Sequence, residues 1–291
     1  MEHINSATRL CALIGNPVAH SISPVIHNNL SRLCGVNLAY VTLKVEEGDV
    51  KEAVKGAYAL NMLGMNVTVP HKQTVIEALA DIDPLAKAIG AVNTLVRTDK
   101  GYKGYNTDIL GLKRELNESG LELKGRPVVI LGAGGAARAI AFLCADSGAS
   151  EVNILNRTVE KAEEIANAVN NNLNIDTVRA MNINDYDKIK ESGYLVIQTT
   201  SVGLHPHDYD AVITDIEFYK RASAGVDIIY NPAETKFMKL MKEARKVSYN
   251  GLKMLLYQGV EAFELWNNIK VSDDAVKEVY ELMKKELGIV E

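Results

Sequence analysis

The sequence predicts an α/β protein of two domains, and three observations carry that reading. Short β-rich runs alternate with stretches of helical composition along most of the chain, the pattern of strands joined by crossover helices. One alternation, Val128-Val129-Ile130-Leu131-Gly132-Ala133-Gly134-Gly135-Ala136-Ala137, sets a glycine turn between an apolar strand and a helix rich in small residues. From Gly251 onward the composition is helical with no strand after it, so the tail is expected to pack back on the first domain. The expected segments are residues 1–107, 108–247 and 248–291.

Leu10 to Ile14 reads as the first strand, and Ser23-Pro24 opens a helix carrying Val25, Ile26 and Leu30. Tyr40 to Val45 reads as a strand and residues 49 to 60 as a helix. A strand follows over Asn66 to Val69, and Pro70, tolerated at a first helical position, opens a helix over His71 to Leu79. This alternation implies a parallel sheet. Ala91 to Val96 and Gly101 to Asn106 pair as a hairpin around Asp99-Lys100-Gly101, and Thr107-Asp108 caps a helix to about Ser119 that crosses to the second domain. Further strands are expected at Glu151 to Leu155, Tyr194 to Gln198 and Gly225 to Ile229. Leu252, Leu255, Leu256, Gly259, Ala262, Phe263 and Trp266 share one apolar stripe, and residues 273 to 287 form a last helix.

At 291 residues the chain is long enough for two cores, and 47% hydrophobic with 24% charged residues fits a globular protein. A net charge of −5 gives no footprint for nucleic acid. The most apolar window, around residues 128 to 145, is broken by glycines and Arg138, which excludes a membrane span. The first ten residues lack a signal-peptide pattern, so a cytoplasmic protein is expected, as a monomer or homodimer. Cys11, Cys34 and Cys144 read as small core residues, and His205-Pro206-His207 lacks companions to complete a ligand set, so no metal is expected.

The glycine turn is where chemistry enters. In a strand–turn–helix setting, Gly132 permits the turn, Gly134 lets backbone approach a pyrophosphate, and Ala137 allows close helix packing while free N–H groups at the helix start bind phosphate. The second domain is therefore expected to be a Rossmann-type dinucleotide-binding domain. After its second strand an NAD site would place a carboxylate to hold the ribose; this chain has Asn156-Arg157-Thr158. A guanidinium with neutral neighbours suits a 2′-phosphate, which favours NADP over NAD. Segments Thr199–Gly203 and Tyr230-Asn231-Pro232 follow later strands, at the sheet edge where ligands bind.

The first domain supplies the polar groups a substrate site needs. Ser21 and Ser23 flank Ile22 before a helix, where hydroxyls can hold a carboxylate or simply cap the helix. Asn66 and Thr68 alternate along one strand, and Lys72 follows in what reads as the first turn of a helix, where the dipole would favour its neutral amine. Asp108 is either a helix cap or a partner that holds Lys72. Asn93 is a turn amide or a hydroxyl contact, and Gln258 interrupts the apolar stripe, where a buried amide needs partners.

The strings Ile14-Gly15-Asn16-Pro17-Val18-Ala19-His20-Ser21-Ile22-Ser23-Pro24, Asn66-Val67-Thr68-Val69-Pro70-His71-Lys72, Gly90-Ala91-Val92-Asn93-Thr94 and Asn106-Thr107-Asp108 together resemble the shikimate dehydrogenase family. Gly132-Ala133-Gly134-Gly135-Ala136, Asn156-Arg157-Thr158 and Gly251 to Gln258 extend the resemblance in the same order. It implies an N-terminal α/β substrate domain before the dinucleotide domain and reversible oxidation of shikimate to 3-dehydroshikimate with NADP⁺, in aromatic amino-acid biosynthesis. It further implies Lys72 and Asp108 as the catalytic pair, with Ser21, Ser23, Asn66, Thr68, Asn93, Tyr230 and Gln258 on the substrate. Gly132, Ala133, Gly134, Gly135, Ala136, Asn156, Arg157, Thr158, Thr200 and Gly251 would serve the cofactor. One departure is Gln198, where many relatives have Asn. The alternatives are a quinate/shikimate dehydrogenase using NAD and a non-catalytic NADP-binding regulator.

Overall fold

The computed structural model describes residues 4–204 and 207–289. Its chain divides into two compact units, Met1–Leu112 with Leu255–Glu291, and Lys113–Met254. His205 and Pro206, part of the tract expected not to bind metal, lie outside the described residues.

The first unit begins with β1 (Arg9–Gly15), α1 (Ser23–Leu33), β2 (Leu38–Lys44), α2 (Val50–Ala59) and β3 (Gly64–Val67). It continues with β4 (Asp81–Ile82), α3 (Pro84–Ile89), β5 (Thr94–Thr98), β6 (Gly101–Tyr105) and the start of α4 (Asp108–Glu118). The six strands form one sheet in the order β2-β1-β3-β5-β6-β4. β1 runs parallel to β2 and β3, but β5 runs antiparallel to both β3 and β6. The parallel pairing expected of the alternating strands holds for β1, β2 and β3, and the expected hairpin at Asp99-Lys100 forms between β5 and β6; with β5 also antiparallel to β3, the sheet is mixed. One face packs Ala12, Ile14, Met65, Val67 and Leu95 against Val50 and Val54 of α2.

Two further expectations for this unit are corrected. The strand carrying Asn66 ends at Val67, so Thr68 lies just past it. Residues 71 to 79 form no α-helix; a turn leads into a short 3₁₀ helix, Thr74–Ala78. The reason is visible in the backbone: the Lys72 carbonyl accepts from Val92 N–H at 2.8 Å, so it is unavailable to a residue one helical turn ahead. The buried His71 ring is committed to the Val45 carbonyl at 2.8 Å. Lys72 therefore feels no α-helix dipole from this segment.

The second unit contains the rest of α4 and β7 (Pro127–Leu131), α5 (Gly135–Asp146), β8 (Glu151–Asn156), α6 (Val159–Leu173), β9 (Val178–Asn182) and β10 (Tyr194–Gln198). Then come α7 (Ile216–Arg221), β11 (Ala222–Asp227), α8 (Lys236–Glu243) and β12 (Val247–Asn250). All six strands are parallel, in the order β12-β11-β10-β7-β8-β9. The strand order reverses between β7 and β10, and ligands of such sheets sit at that reversal, past the carboxyl ends. β11 begins and ends earlier than the expected Gly225 to Ile229.

Two helices close the chain: α9 (Leu252–Asn267), whose first residues belong to the second unit, and α10 (Asp273–Glu286). Trp266 of α9 packs with Cys11, Leu13, Leu38 and Tyr40 of the first unit, and its indole N–H donates to the Leu95 carbonyl at 2.9 Å. α10 lies against α1, where Arg32 and Glu278 pair at 2.7 Å.

Candidate active site

In the first unit Lys72 and Asp108 meet. Lys72 Nζ lies 2.7 Å from Asp108 Oδ2, with the side chains 15% and 9% exposed. Such a pair, largely removed from water, fixes both side chains, because breaking it would strand a charge. Asp108 is the first residue of α4, and Thr107 before it holds the cap position, its carbonyl accepting from Gly111 N–H at 3.0 Å, while Asn106 Oδ1 accepts from Ile109 N–H at 3.4 Å.

Asn93 ties the surrounding groups together. Its Nδ2 donates to Asp108 Oδ1 at 2.9 Å, to Thr107 Oγ1 at 3.1 Å and, more weakly, to Gln258 Oε1 at 3.5 Å. Its Oδ1 accepts from Thr107 N–H at 2.7 Å. Gln258 in turn donates to the Leu255 carbonyl at 2.8 Å. The buried amides are thus satisfied by one another, as burial requires, and Lys72 Nζ is held at one end of the set.

Asn66 joins the set through Thr94: its Nδ2 donates to Thr94 Oγ1 at 3.1 Å, and Thr94 Oγ1 is 3.1 Å from Asn93 Oδ1. Asn66 Oδ1 accepts from the buried Tyr40 hydroxyl at 2.8 Å, and that hydroxyl also faces Ser23. Ser23 lies 3.0 Å from Ser21, whose Oγ accepts from Ser23 N–H at 3.2 Å. A continuous polar path therefore runs from Ser21 to Lys72. Thr68 makes no side-chain bond in it, and its methyl group packs near Gly15. Sequence reasoning missed Tyr40, Thr94 and Thr107. Tyr40 looked like an ordinary strand aromatic, and the two threonines carry no signal apart from adjacency to Asn93 and Asp108.

The second unit carries the glycine turn. Gly132 has φ +108°, and a Cβ there would stand 2.6 Å from Thr200 Cγ2, so only glycine fits. At Gly134 a Cβ would meet nothing within 4 Å, and no side chain caps α5. Open backbone at an uncapped helix start is what an approaching pyrophosphate needs. Beside it lies a cavity of about 720 Å³ walled by Gly132, Asn156, Arg157 and Thr200, with Asn182 and Tyr209 as unforeseen members. Arg157 is exposed and makes no ion pair among the described residues, whereas Asn156 braces the turn by donating to the Thr158 carbonyl at 2.8 Å. These residues fit a dinucleotide carrying a 2′-phosphate. Ala133, Gly135, Ala136 and Thr158 neighbour the cavity in sequence without lining it. Gly251 has a packing duty: a Cβ there would lie 2.1 Å from the Ile228 carbonyl oxygen. Tyr230, half-buried, follows β11 in this unit. No group of metal-ligating side chains occurs among the described residues.

Comparison with known proteins shows which family the chain resembles. Residues 13–95 match the Shikimate dehydrogenase substrate binding domain, residues 114–205 match Shikimate / quinate 5-dehydrogenase, and residues 251–279 match the Shikimate 5'-dehydrogenase C-terminal domain. The shikimate dehydrogenase (NADP⁺) of Methanothermobacter thermautotrophicus is 40% identical over 283 residues, 95% of this chain and 98% of that protein. A shikimate dehydrogenase crystallised with NADP⁺ superposes with a TM-score of 0.87 at 36% identity, covering 99% of this chain and 98% of the other. The Listeria monocytogenes enzyme, crystallised with shikimate and NAD, gives 0.86 at 32% identity over 96% and 98% of the two chains. With matched segments in both units and a relative of this identity along nearly its whole length, the chain belongs to the shikimate dehydrogenase family.

Proposed function

We infer that this chain oxidises shikimate to 3-dehydroshikimate with NADP⁺, reversibly; its relatives are named shikimate dehydrogenase (NADP⁺). The observation that carries the reading is the 2.7 Å pair of Lys72 and Asp108, set among Asn93, Thr107 and Gln258. Bound NADP⁺ supplies the hydride acceptor. The protein's part is to hold the reacting hydroxyl beside Lys72 and to move its proton. In the oxidation direction the hydroxyl proton passes to Lys72 Nζ, which must enter the step as the neutral amine, as the C–O bond becomes a carbonyl. Asp108 orients the amine and balances the positive charge that forms on it. Asn93 keeps the Asp108 carboxylate turned toward Lys72 by occupying its other oxygen.

Ser21 and Ser23 are assigned to the substrate carboxylate, and Asn66, Thr68, Asn93 and Gln258 to its hydroxyls. Tyr230 is assigned to the substrate as well. Arg157, Asn156 and Thr158 take the 2′-phosphate end of NADP⁺, while Gly132 to Ala136 admit the pyrophosphate, with Thr200 and Gly251 alongside. The purified protein, offered shikimate or quinate with NADP⁺ or NAD⁺ and followed by nicotinamide absorbance, is expected to turn over shikimate with NADP⁺ fastest. Faster turnover of quinate with NAD⁺ overturns the substrate and cofactor assignment. Silence in all four pairings, with NADP⁺ still bound, makes the chain a regulator.

A further inference from the structure

Gln198 is the last residue of β10 and Asp227 the last of β11, and the two are register partners in neighbouring strands. Both side chains are buried, and Gln198 Nε2 lies 3.4 Å from Asp227 Oδ1. The remaining bonds of the glutamine all go to one loop. Its Oε1 accepts from Thr200 N–H at 2.6 Å, and its Nε2 lies 3.1 Å from the Val202 carbonyl and 3.2 Å from the Thr200 carbonyl. Those of the aspartate go to another. Oδ1 accepts from Ile229 N–H at 3.0 Å, and Oδ2 accepts from the Thr235 hydroxyl at 2.6 Å, the same hydroxyl that caps α8 through Met238 N–H.

The first loop places Thr200, Ser201 and Val202 on the wall of the 720 Å³ cavity beside Arg157. The second carries Tyr230. Neither Gln198 nor Asp227 lines that cavity, so a direct contact with a ligand does not account for them. We propose that Gln198 is a positioning residue for the cofactor: it fixes loop 199–203 against the adenosine end and, through Asp227 and Thr235, locks that loop to the one bearing Tyr230. This rests on the reading that the cavity takes NADP⁺. The side-chain length is part of the device. An asparagine amide would stop about 1.5 Å short, one carbon–carbon bond, and would not span from β10 to both loop carbonyls and Asp227.

The test is direct binding of NADP⁺ and of adenosine 2′,5′-bisphosphate to the full chain, alongside thermal melting. Gln198→Met keeps the volume and deletes the bonds, so both dissociation constants should rise about tenfold, what losing one or two such bonds produces. Gln198→Asn keeps a buried amide and should raise them about threefold, a milder change that remains readable if the methionine variant folds poorly. Thr235→Val, which touches neither ligand, should weaken binding too, and its effect should fall short of multiplicative with that of Gln198→Met because both act on one knot. Dissociation constants within twofold of wild type in both Gln198 variants, whatever the melting temperature does, overturn the proposal. Since the readout is binding, failure of the shikimate assay alone is distinguishable from failure of this inference.

Discussion

Lys72 and Asp108 stand 36 residues apart in the chain yet 2.7 Å apart in space, and their joint action has a kinetic signature. Lys72→Ala should lower kcat by roughly 10² to 10⁴, the usual contribution of acid–base catalysis, with a smaller change in shikimate KM. Asp108→Asn should also be severe, and the double variant should be far less impaired than the product of the two. Steady-state rates for the four proteins, with circular dichroism to confirm folding, decide it: multiplicative losses would dissolve the pair. Arg157→Ala should weaken NADP⁺ by about ten- to a hundredfold, the loss of a charge-assisted bond, and NAD⁺ far less. Equal losses for both would show that Arg157 reads no phosphate. Arg157 was legible because an arginine stands where a carboxylate is usual, whereas Lys72 and Asp108 were legible through the family resemblance, the helical turn expected at Lys72 being absent. Tyr40 was not, because a tyrosine in a strand is explained by packing alone, and only the fold reveals its hydroxyl between Ser23 and Asn66.

Among elements, the parallel strands around the glycine turn were readable because β7 and β10 carry continuous apolar runs buried on both faces, and β8 keeps Val152, Ile154 and Leu155 between its polar residues. What failed to show was the 3₁₀ stretch over 74–78, because its cause is a long-range bond from Val92 to Lys72 that no local pattern encodes. β4, two residues long, is too short to display a period, whereas α3 did carry its signals: Asp83 accepts from Leu85 N–H at 3.0 Å, and Gly90 ends the helix at φ 72°. Trp266 of α9 depends on Gly64 of β3. A Cβ there would lie 2.1 Å from the indole nitrogen and 2.5 Å from the Leu95 carbonyl oxygen that the indole bonds. Gly64→Ala should therefore cost about 1 to 3 kcal/mol, as overpacking does, read as a lower denaturant midpoint. An unchanged midpoint would mean that α9 is held by other contacts.

For the molecule as a whole, buried ionisable groups set how stability varies with pH. Burial pushes the Glu115 carboxyl up to about 8 against the nearby Lys253, and its Oε2 has no hydrogen-bond partner. The folded state thus keeps a proton that the unfolded chain releases above its ordinary value of 4.5, so this contribution to stability is full below that pH and is lost as pH climbs through about 8. Glu115→Gln should flatten the fall in melting temperature between mildly acidic and mildly alkaline buffer, and an equally steep fall would remove Glu115 as its source. His27 works in the opposite sense. Burial between Tyr40 and Trp266 lowers it to about 3, so its contribution is full above 6.5 and drains away as pH falls from 6.5 through about 3. The first unit is assembled from two distant stretches, Met1–Leu112 and Leu255–Glu291. On the ribosome, then, β1, β2 and β3 emerge without the tryptophan that covers them. At ~5–20 residues per second β1, β2 and β3 wait roughly ten to forty seconds for Trp266, while the 113–254 unit is synthesised in full and free to fold first.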